Sequence, residues 1–380
     1  MTEQEIIYTM ALTRVPRLNP TNQRILLQEL GSATAVFENR KDLKQVLPDA
    51  SEKLVEAVAH IDGQIARAEE ELRFVMEKKV DCLCFHDAAY PQRLKECPDA
   101  PILLFFKGNV SLNQSRIINI VGTRHCTEYG KDICNRFLRE LSELCPEILV
   151  VSGLAYGIDI QAHRRALENG LPTVGVLAHG LDQIYPRMHR DTAIQMMTQG
   201  GLLTEFMSGT NADKVNFVRR NRIVAGISDA TIVVESAEKG GALITADIAS
   251  SYHRDVFAFP GRIGDPYSQG CNRLIRDSKA ALLESAQGFM EAMGWPCRKK
   301  EEKNGKSCFE LFPDLCEEEQ RIVDCLRQHD KLQINMLTVA TNLPVHKLSA
   351  FLFNLEMKGI IKQLSGGMYQ IGRASCRERV

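Results

Sequence analysis

Short apolar runs rich in β-branched residues punctuate the middle of the chain at 117–121, 148–151, 173–177, 202–204, 231–234 and 256–259. Helix-length stretches separate them, among them 130–144, 158–169 and 242–252. Apolar strands that alternate with helices predict βαβ units, and so an α/β domain whose parallel sheet is covered on both sides. Two more strand patterns, at 82–85 and 102–106, lead into this region. Residues 1 to about 70 read differently, as short helices broken at Pro16, Pro20, Gly31 and Pro48.

Past Trp295 the pattern lapses into a charged, apolar-poor stretch, 296–310, which reads as a linker. Helical patterns at 317–328, 334–341 and 345–358 then precede a β-hairpin at 360–370. Three helices and a hairpin predict a winged helix over 311–370, whose third helix can enter a DNA groove. That helix offers His346 and Lys347 but no arginine, so a protein-contact role stands beside a DNA-reading one. The expected division is a helical module at 1–70, the sheet domain at 79–295, the linker and the winged helix. The last ten residues, IGRASCRERV, match one reading frame of a widely used sequencing-library adapter, and 371–380 is expected to be a non-native tail.

A length of 380 residues accommodates two or three domains. The formal net charge of -1 argues against a general positive coat, so a polyanion must be met by a local patch. One lies at 211–222, where one Lys and three Arg against one Asp give +3. Twelve cysteines without paired C-x-x-C spacing point to reduced, mostly buried thiols instead of zinc or disulfides. No apolar run approaches a membrane span, and the N-terminus lacks a basic start followed by an apolar core. A soluble, cytoplasmic protein is therefore expected.

The candidate chemistry gathers where the strands end. Gly122-Thr123-Arg124 follows the first central run, Ser152 to Gly157 the second and His179 to Asp182 the third. Glu205-Phe206, Glu235 to Gly241 and Pro260 to Gly264 follow the others. Open α/β sheets bind ligands at the carboxyl ends of their strands, which makes this rim the expected functional surface. In the basic patch Phe217, Arg219, Arg220 and Arg222 fall within six positions, and on a helix Arg219 and Arg222 share a face. Arginines grip phosphates bidentately and an aromatic gives a base a stacking surface, a pairing suited to single-stranded nucleic acid; the plainer reading is a solvated basic helix face. The turn Lys239-Gly240-Gly241 opens a helix, whose free N–H groups favour an anion.

Other patterns are weaker. GTRHCTEYGK at 122–131 has glycines too far apart, and no Ser or Thr follows its lysine to hold Mg²⁺, which excludes an NTPase phosphate loop. SGLAYGID at 152–159 lacks the dinucleotide fingerprint; its Asp159 and the following His163 are expected to form a structural hydrogen-bonded pair. His179, Asp182, His189 and Asp191 match no strong metal-ligand spacing, so neither metal nor cofactor is expected. Glu205 and Glu235 stand at strand ends either as a carboxylate pair for glycosidic chemistry or as partners for loop N–H groups. The stretch 12–30 resembles a helix-hairpin-helix with Arg17-Leu18-Asn19 in place of its glycines, which favours helix packing over duplex binding.

Six motifs, in order, resemble the DNA-processing protein A family (DprA, also called Smf): VGTRHCTEYG at 121–130, SGLAYGID at 152–159, HGLDQIYP at 179–186, FVRRNRIVAGIS at 217–228, KGGALITADIA at 239–249 and FPGRIGDPYSQGCNRLI at 259–275. The flanking helices and winged helix fit the same architecture. The resemblance implies an extended Rossmann-like domain that is not an enzyme. Such a protein is a homodimer that binds single-stranded DNA without sequence preference, protects incoming strands and loads the recombinase RecA onto them in natural transformation. Carried over by motif, Gly122 and Arg124 line the strand pocket with Phe217, Arg219, Asn221 and Arg222, and Lys239, Gly240 and Gly241 lie beside them. The chain departs from the family at Val218, usually proline, and at Ser278-Lys279, usually Gly-Ala. Two other classes stay open: a Rossmann-type nucleotide phosphoribohydrolase with Glu205 or Glu235 as catalytic carboxylate, and an adaptor whose winged helix binds partners.

Overall fold

The computed structural model describes residues 2–297, 315–329, 332–358, 360–364 and 367–371. All but the first two residues of the expected linker, and the expected tail beyond Ile371, lie outside this set. The described residues fall into two compact units, divided between positions 299 and 300.

Six helices open the first unit: α1 (Glu3–Arg14), α2 (Pro20–Leu30), α3 (Ala33–Glu38), α4 (Leu43–Val46), α5 (Glu52–Ala59) and α6 (Ile65–Lys78). Thr2, Asn19, Ser32 and Ser51 start four of them, each accepting a backbone N–H from the first turn. Between α1 and α2 Leu18 is buried, and the Gln23 side-chain amide donates to the carbonyls of Leu12 and Leu18. That hairpin is closed by packing. Its apolar residues, Met10 and Leu26 among them, share one core with the sheet.

The strands β1 (Asp81–Cys84) and β2 (Leu103–Gly108) flank the single turn α7 (Gln92–Lys95). Strands and helices then alternate: β3 (Ile117–Val121), α8 (Glu128–Leu144), β4 (Leu149–Ser152), α9 (Ile158–Glu168), β5 (Thr173–Val176), α10 (Arg190–Gln199), β6 (Gly200–Thr204), α11 (Lys214–Gly226), β7 (Ala230–Val233), α12 (Gly241–Ser251), β8 (Asp255–Ala258), α13 (Gln269–Arg276), β9 (Ala281–Leu282) and α14 (Ala286–Ala292). All nine strands join one sheet in the order β1-β2-β6-β5-β4-β3-β7-β8-β9. Pairing is parallel from β6 to β9, as the βαβ pattern predicts, and antiparallel at β1-β2 and β2-β6, where the two leading strands add an edge whose direction the sequence reading left open. No helix long enough for a crossover separates β1 from β2, so they pair as antiparallel neighbours.

Side chains alternate across the sheet. Ile117, Val121, Val151 and Val233 pack toward residues of α11 and α12, whereas Ile118, Ile120, Val150 and Ile232 pack toward those of α8, α9 and α14. The chain leaves β3 toward β4 on one side and later adds β7 on the other. Strand order therefore reverses between β3 and β7, where their outgoing loops open a crevice. Ser278, where the resembled family usually has glycine, adopts the left-handed φ of 54° that glycine takes without strain.

The second unit comprises α15 (Glu317–Gln328), β10 (Leu332–Gln333), α16 (Ile334–Thr341), α17 (Val345–Met357), β11 (Ile361–Leu364) and β12 (Met368–Ile371). Its antiparallel sheet, ordered β10-β12-β11, completes a winged helix around Ile322, Leu337, Leu348 and Leu352. Among the described residues no helix is long and apolar enough to cross a membrane.

Candidate nucleic-acid interface

The loop leaving β3 is stretched between two neighbours. A side-chain carbon on Gly122 would lie 2.4 Å from Ile158 of α9, so only a bare backbone fits there. The Thr123 N–H donates to the Glu235 carbonyl at 2.8 Å, and the buried Glu235 carboxylate accepts the Thr127 N–H and hydroxyl at 2.9 and 2.6 Å. Held at both ends, the loop presents Arg124 and His125 to the crevice.

Opposite stands α11, capped by Asp213, whose carboxylate accepts the Asn216 N–H at 2.7 Å. Its residues Phe217 and Asn221 face a cleft of about 770 Å³, which Gly122, Arg124, Lys239, Gly240 and Gly241 also line. The Arg124 guanidinium lies over the Phe217 ring, 4.9 Å from its centroid, and the Tyr185 ring stands 6.0 Å from the same ring. No side chain caps α12 at Gly240; the Leu243 N–H donates to the Gly240 carbonyl at 3.1 Å, and the helix start before it suits an anion.

The structure does not bring Arg219 and Arg222 to this cleft. They share a face of α11 as expected, but that face meets Glu205 at the end of β6. One carboxylate oxygen, Glu205 Oε2, accepts from Arg219 Nη2 at 2.8 Å and from Arg222 Nη2 at 2.5 Å. Arg222 is buried and donates also to the Asp99 carbonyl, while the Arg219 side chain is 44% exposed and lies over Phe206. Arg220, between them in sequence, reaches the floor of the cleft. It donates to the carbonyls of Gly153 and Val176, and its guanidinium fills the space that a side chain at Gly153 would need. Burial lowers its pKa to about 10, against Asp159 and with Arg124, so it keeps its charge at neutral pH.

Asp159 and His163 are each satisfied, though not by one another. The Asp159 carboxylate accepts N–H groups of Gly153 and Ala155 at 3.2 and 3.4 Å, and burial raises its pKa. His163 turns instead to β5, where Nδ1 meets the Thr173 hydroxyl at 2.7 Å, while Nε2 accepts the Leu154 N–H at 3.3 Å. On the other side His189 Nδ1 donates to the Leu154 carbonyl at 2.8 Å, so two histidines clamp a buried leucine whose φ is 54°. Accepting that N–H requires a neutral ring, and burial, with Arg220 and His189 adding, lowers the His163 pKa to about 3. Its folded value lies below the unfolded ~6.5, so its stabilising contribution is complete above that pH and is lost on acidification toward 3. Between pH 7 and pH 5 the unfolding free energy is expected to fall by about 2 kcal/mol from this group. Asp159 acts in the opposite sense. Urea titrations of the native chain and His163→Gln isolate the term, and equal pH slopes would contradict it.

His179 bonds the Gly180 carbonyl through Nδ1 and accepts the Tyr185 N–H at 3.2 Å, which sets Tyr185 at the cleft wall. Among the described residues no group of three or more His, Cys, Asp or Glu is placed to hold a metal, and the described cysteines are free thiols. Sequence reasoning missed three rings that line the cleft: Tyr185, His125 and Tyr267. Each lies inside a strand-end motif, HGLDQIYP, VGTRHCTEYG or FPGRIGDPYSQGCNRLI, and that position was the available signal.

The model of the DNA recombination-mediator protein A family matches residues 81–294, and that of the DprA winged helix domain matches residues 313–367. The DNA processing protein DprA of Streptococcus pneumoniae is 40% identical over 204 residues, covering 54% of this chain and 71% of that protein. An X-ray structure of DprA from S. pneumoniae superposes with a TM-score of 0.63 at 31% identity, over 77% of this chain and 98% of that one. A Helicobacter pylori DNA processing protein A, described for its single-stranded DNA binding mode, gives 0.51 at 28% identity, over 57% of this chain and 95% of that one. The family model is named for a recombination mediator, the H. pylori protein is described as binding single-stranded DNA, and none of these relatives bears an enzyme's name. Matched across its sheet domain and again across its winged helix, the chain belongs to the DNA recombination-mediator protein A (DprA/Smf) family.

Proposed function

We propose that this protein binds single-stranded DNA in the cleft between the β3 and β7 loops, without sequence preference, and delivers it to RecA in natural transformation. In this reading it protects the strand and works in the cytoplasm as a homodimer. One observation carries the proposal. A single cleft joins groups suited to phosphate (Arg124, Lys239 and the uncapped start of α12) with the ring of Phe217, while its acids Asp159 and Asp213 are engaged by backbone N–H groups. Phosphate grip with sequence-blind stacking is what a single strand requires. Gly122, Gly240 and Gly241 allow close backbone approach, and Asn221 supplies a hydrogen bond. Arg219 and Arg222 act indirectly, through Glu205, by holding α11 in place. The phosphoribohydrolase alternative needs a free carboxylate, whereas Glu205 is paired with two arginines and Glu235 caps the β3 loop.

Fluorescence anisotropy of labelled single strands and duplexes across a salt series tests this. The double variant Arg124→Ala/Lys239→Ala is expected to lose on the order of tenfold in single-strand affinity and to flatten the salt slope by about 1.4, two contacts at ~0.7 each. An unaltered slope would remove the cleft from consideration. Release of free base from a nucleoside monophosphate would support the enzyme, and RecA capture without DNA binding would support an adaptor.

A further inference from the structure

Besides Phe217, the cleft holds another pair of rings. The loop after β8 contributes Tyr267 and the loop after β3 contributes His125. Their centroids lie 6.5 Å apart with planes inclined by 34°, a tilted pair at the outer limit of direct ring contact. Among the described residues neither the His125 ring nor the Tyr267 hydroxyl has a hydrogen-bond partner.

The backbone under these rings is fixed. The Tyr267 carbonyl accepts the Ser236 N–H at 2.7 Å, and the Gly270 N–H donates to the Ser236 carbonyl at 2.9 Å. A side-chain carbon on Gly270 would lie 2.5 Å from the Ala237 carbonyl, so residues 267–270 are keyed to the turn at 236–237. Two residues further along, that turn becomes Lys239 and then the uncapped start of α12. His125 is anchored by its own N–H, which donates to the Thr123 hydroxyl at 3.1 Å. A phosphate-suited helix end and a ring are thus joined through one hydrogen-bonded turn in the same wall of the cleft.

We infer that His125 and Tyr267 form a second base-stacking station, serving a nucleotide whose phosphate sits at the start of α12. The inference rests on the single-stranded DNA reading of the same cleft. It adds a contact that is blind to charge and dependent on the base.

Anisotropy with an oligothymidylate length series, and with oligonucleotides carrying one abasic residue stepped along the strand, tests it. Tyr267→Ala is expected to weaken binding about tenfold for strands long enough to fill both stations, with the salt slope unchanged because no ion pair is lost. Tyr267→Phe keeps the ring and is expected to bind as the native chain does. His125→Ala, on a separate loop, weakens binding in the same sense. With the abasic residue in the register of this station, the native chain and Tyr267→Ala converge. Should Arg124→Ala/Lys239→Ala weaken binding while Tyr267→Ala matches the native chain at every length, the station is overturned and the cleft reading stands. No single-strand binding by the native chain would overturn both.

Discussion

Replacing Glu205 with alanine is expected to destabilise the protein by about 3–5 kcal/mol, the cost of leaving a buried charge without its partner. Glu205 and Arg222 have side-chain exposures of 2% and 8%, so the pair is withdrawn from bulk water. Arg219 loses the same oxygen but stays partly solvated, and its share is small. Exchanging both Glu205 and Arg222 for methionine is expected to recover much of the loss, because apolar packing then replaces a pair whose desolvation is itself costly. Urea unfolding of the three proteins reads the difference. A loss below about 1 kcal/mol for Glu205→Ala would mean that the pair is immaterial to the fold.

Gly157→Ala is expected to damage stability and binding together. Its φ of 76° and ψ of -123° suit glycine, and an added carbon would stand 2.1 Å from the Thr123 carbonyl oxygen and 2.7 Å from Arg124 Cα. Conformational strain and collision together are expected to cost about 3 kcal/mol and to displace the loop that carries Arg124. Gly170→Ala is the matched control, since Gly170 has φ 73° but nothing within 4 Å of the added carbon. That variant should lose only ~1 kcal/mol and keep its affinity for single strands. If both variants bind DNA as the native chain does, the β3 loop does not need the support of Gly157.

The central strands were legible because each is buried on both faces and returns as an apolar run after a helix. β9 was not: both of its residues, Ala281 and Leu282, are exposed and too few to show a period. The antiparallel edge depends on which strand β2 meets, and β6 lies some hundred residues away in sequence. For the site, helical spacing put Arg219 and Arg222 on one face, but the direction of that face is decided by Glu205, on another strand. Charge density pointed to α11, whose Arg220 reaches the cleft floor while Arg219 and Arg222 turn to Glu205. Phe217 and Asn221 face it because they share the other side of α11, while Tyr267 and His125 meet only through the β3–β7–β8 adjacency.

The guanidinium of Arg124 already rests over the ring of Phe217 before any strand arrives. A base settling on that face must lift the cation away, which makes recognition an exchange and not an addition. The phosphate that comes with the base gives the displaced cation its new partner, so the two contacts belong to one step. A free nucleoside brings the ring without the anion, so the displaced arginine, itself exposed, returns to water and gains no new partner. In the proposed reading the resting contact is therefore expected to favour nucleotides in a chain over bases and nucleosides that carry no phosphate.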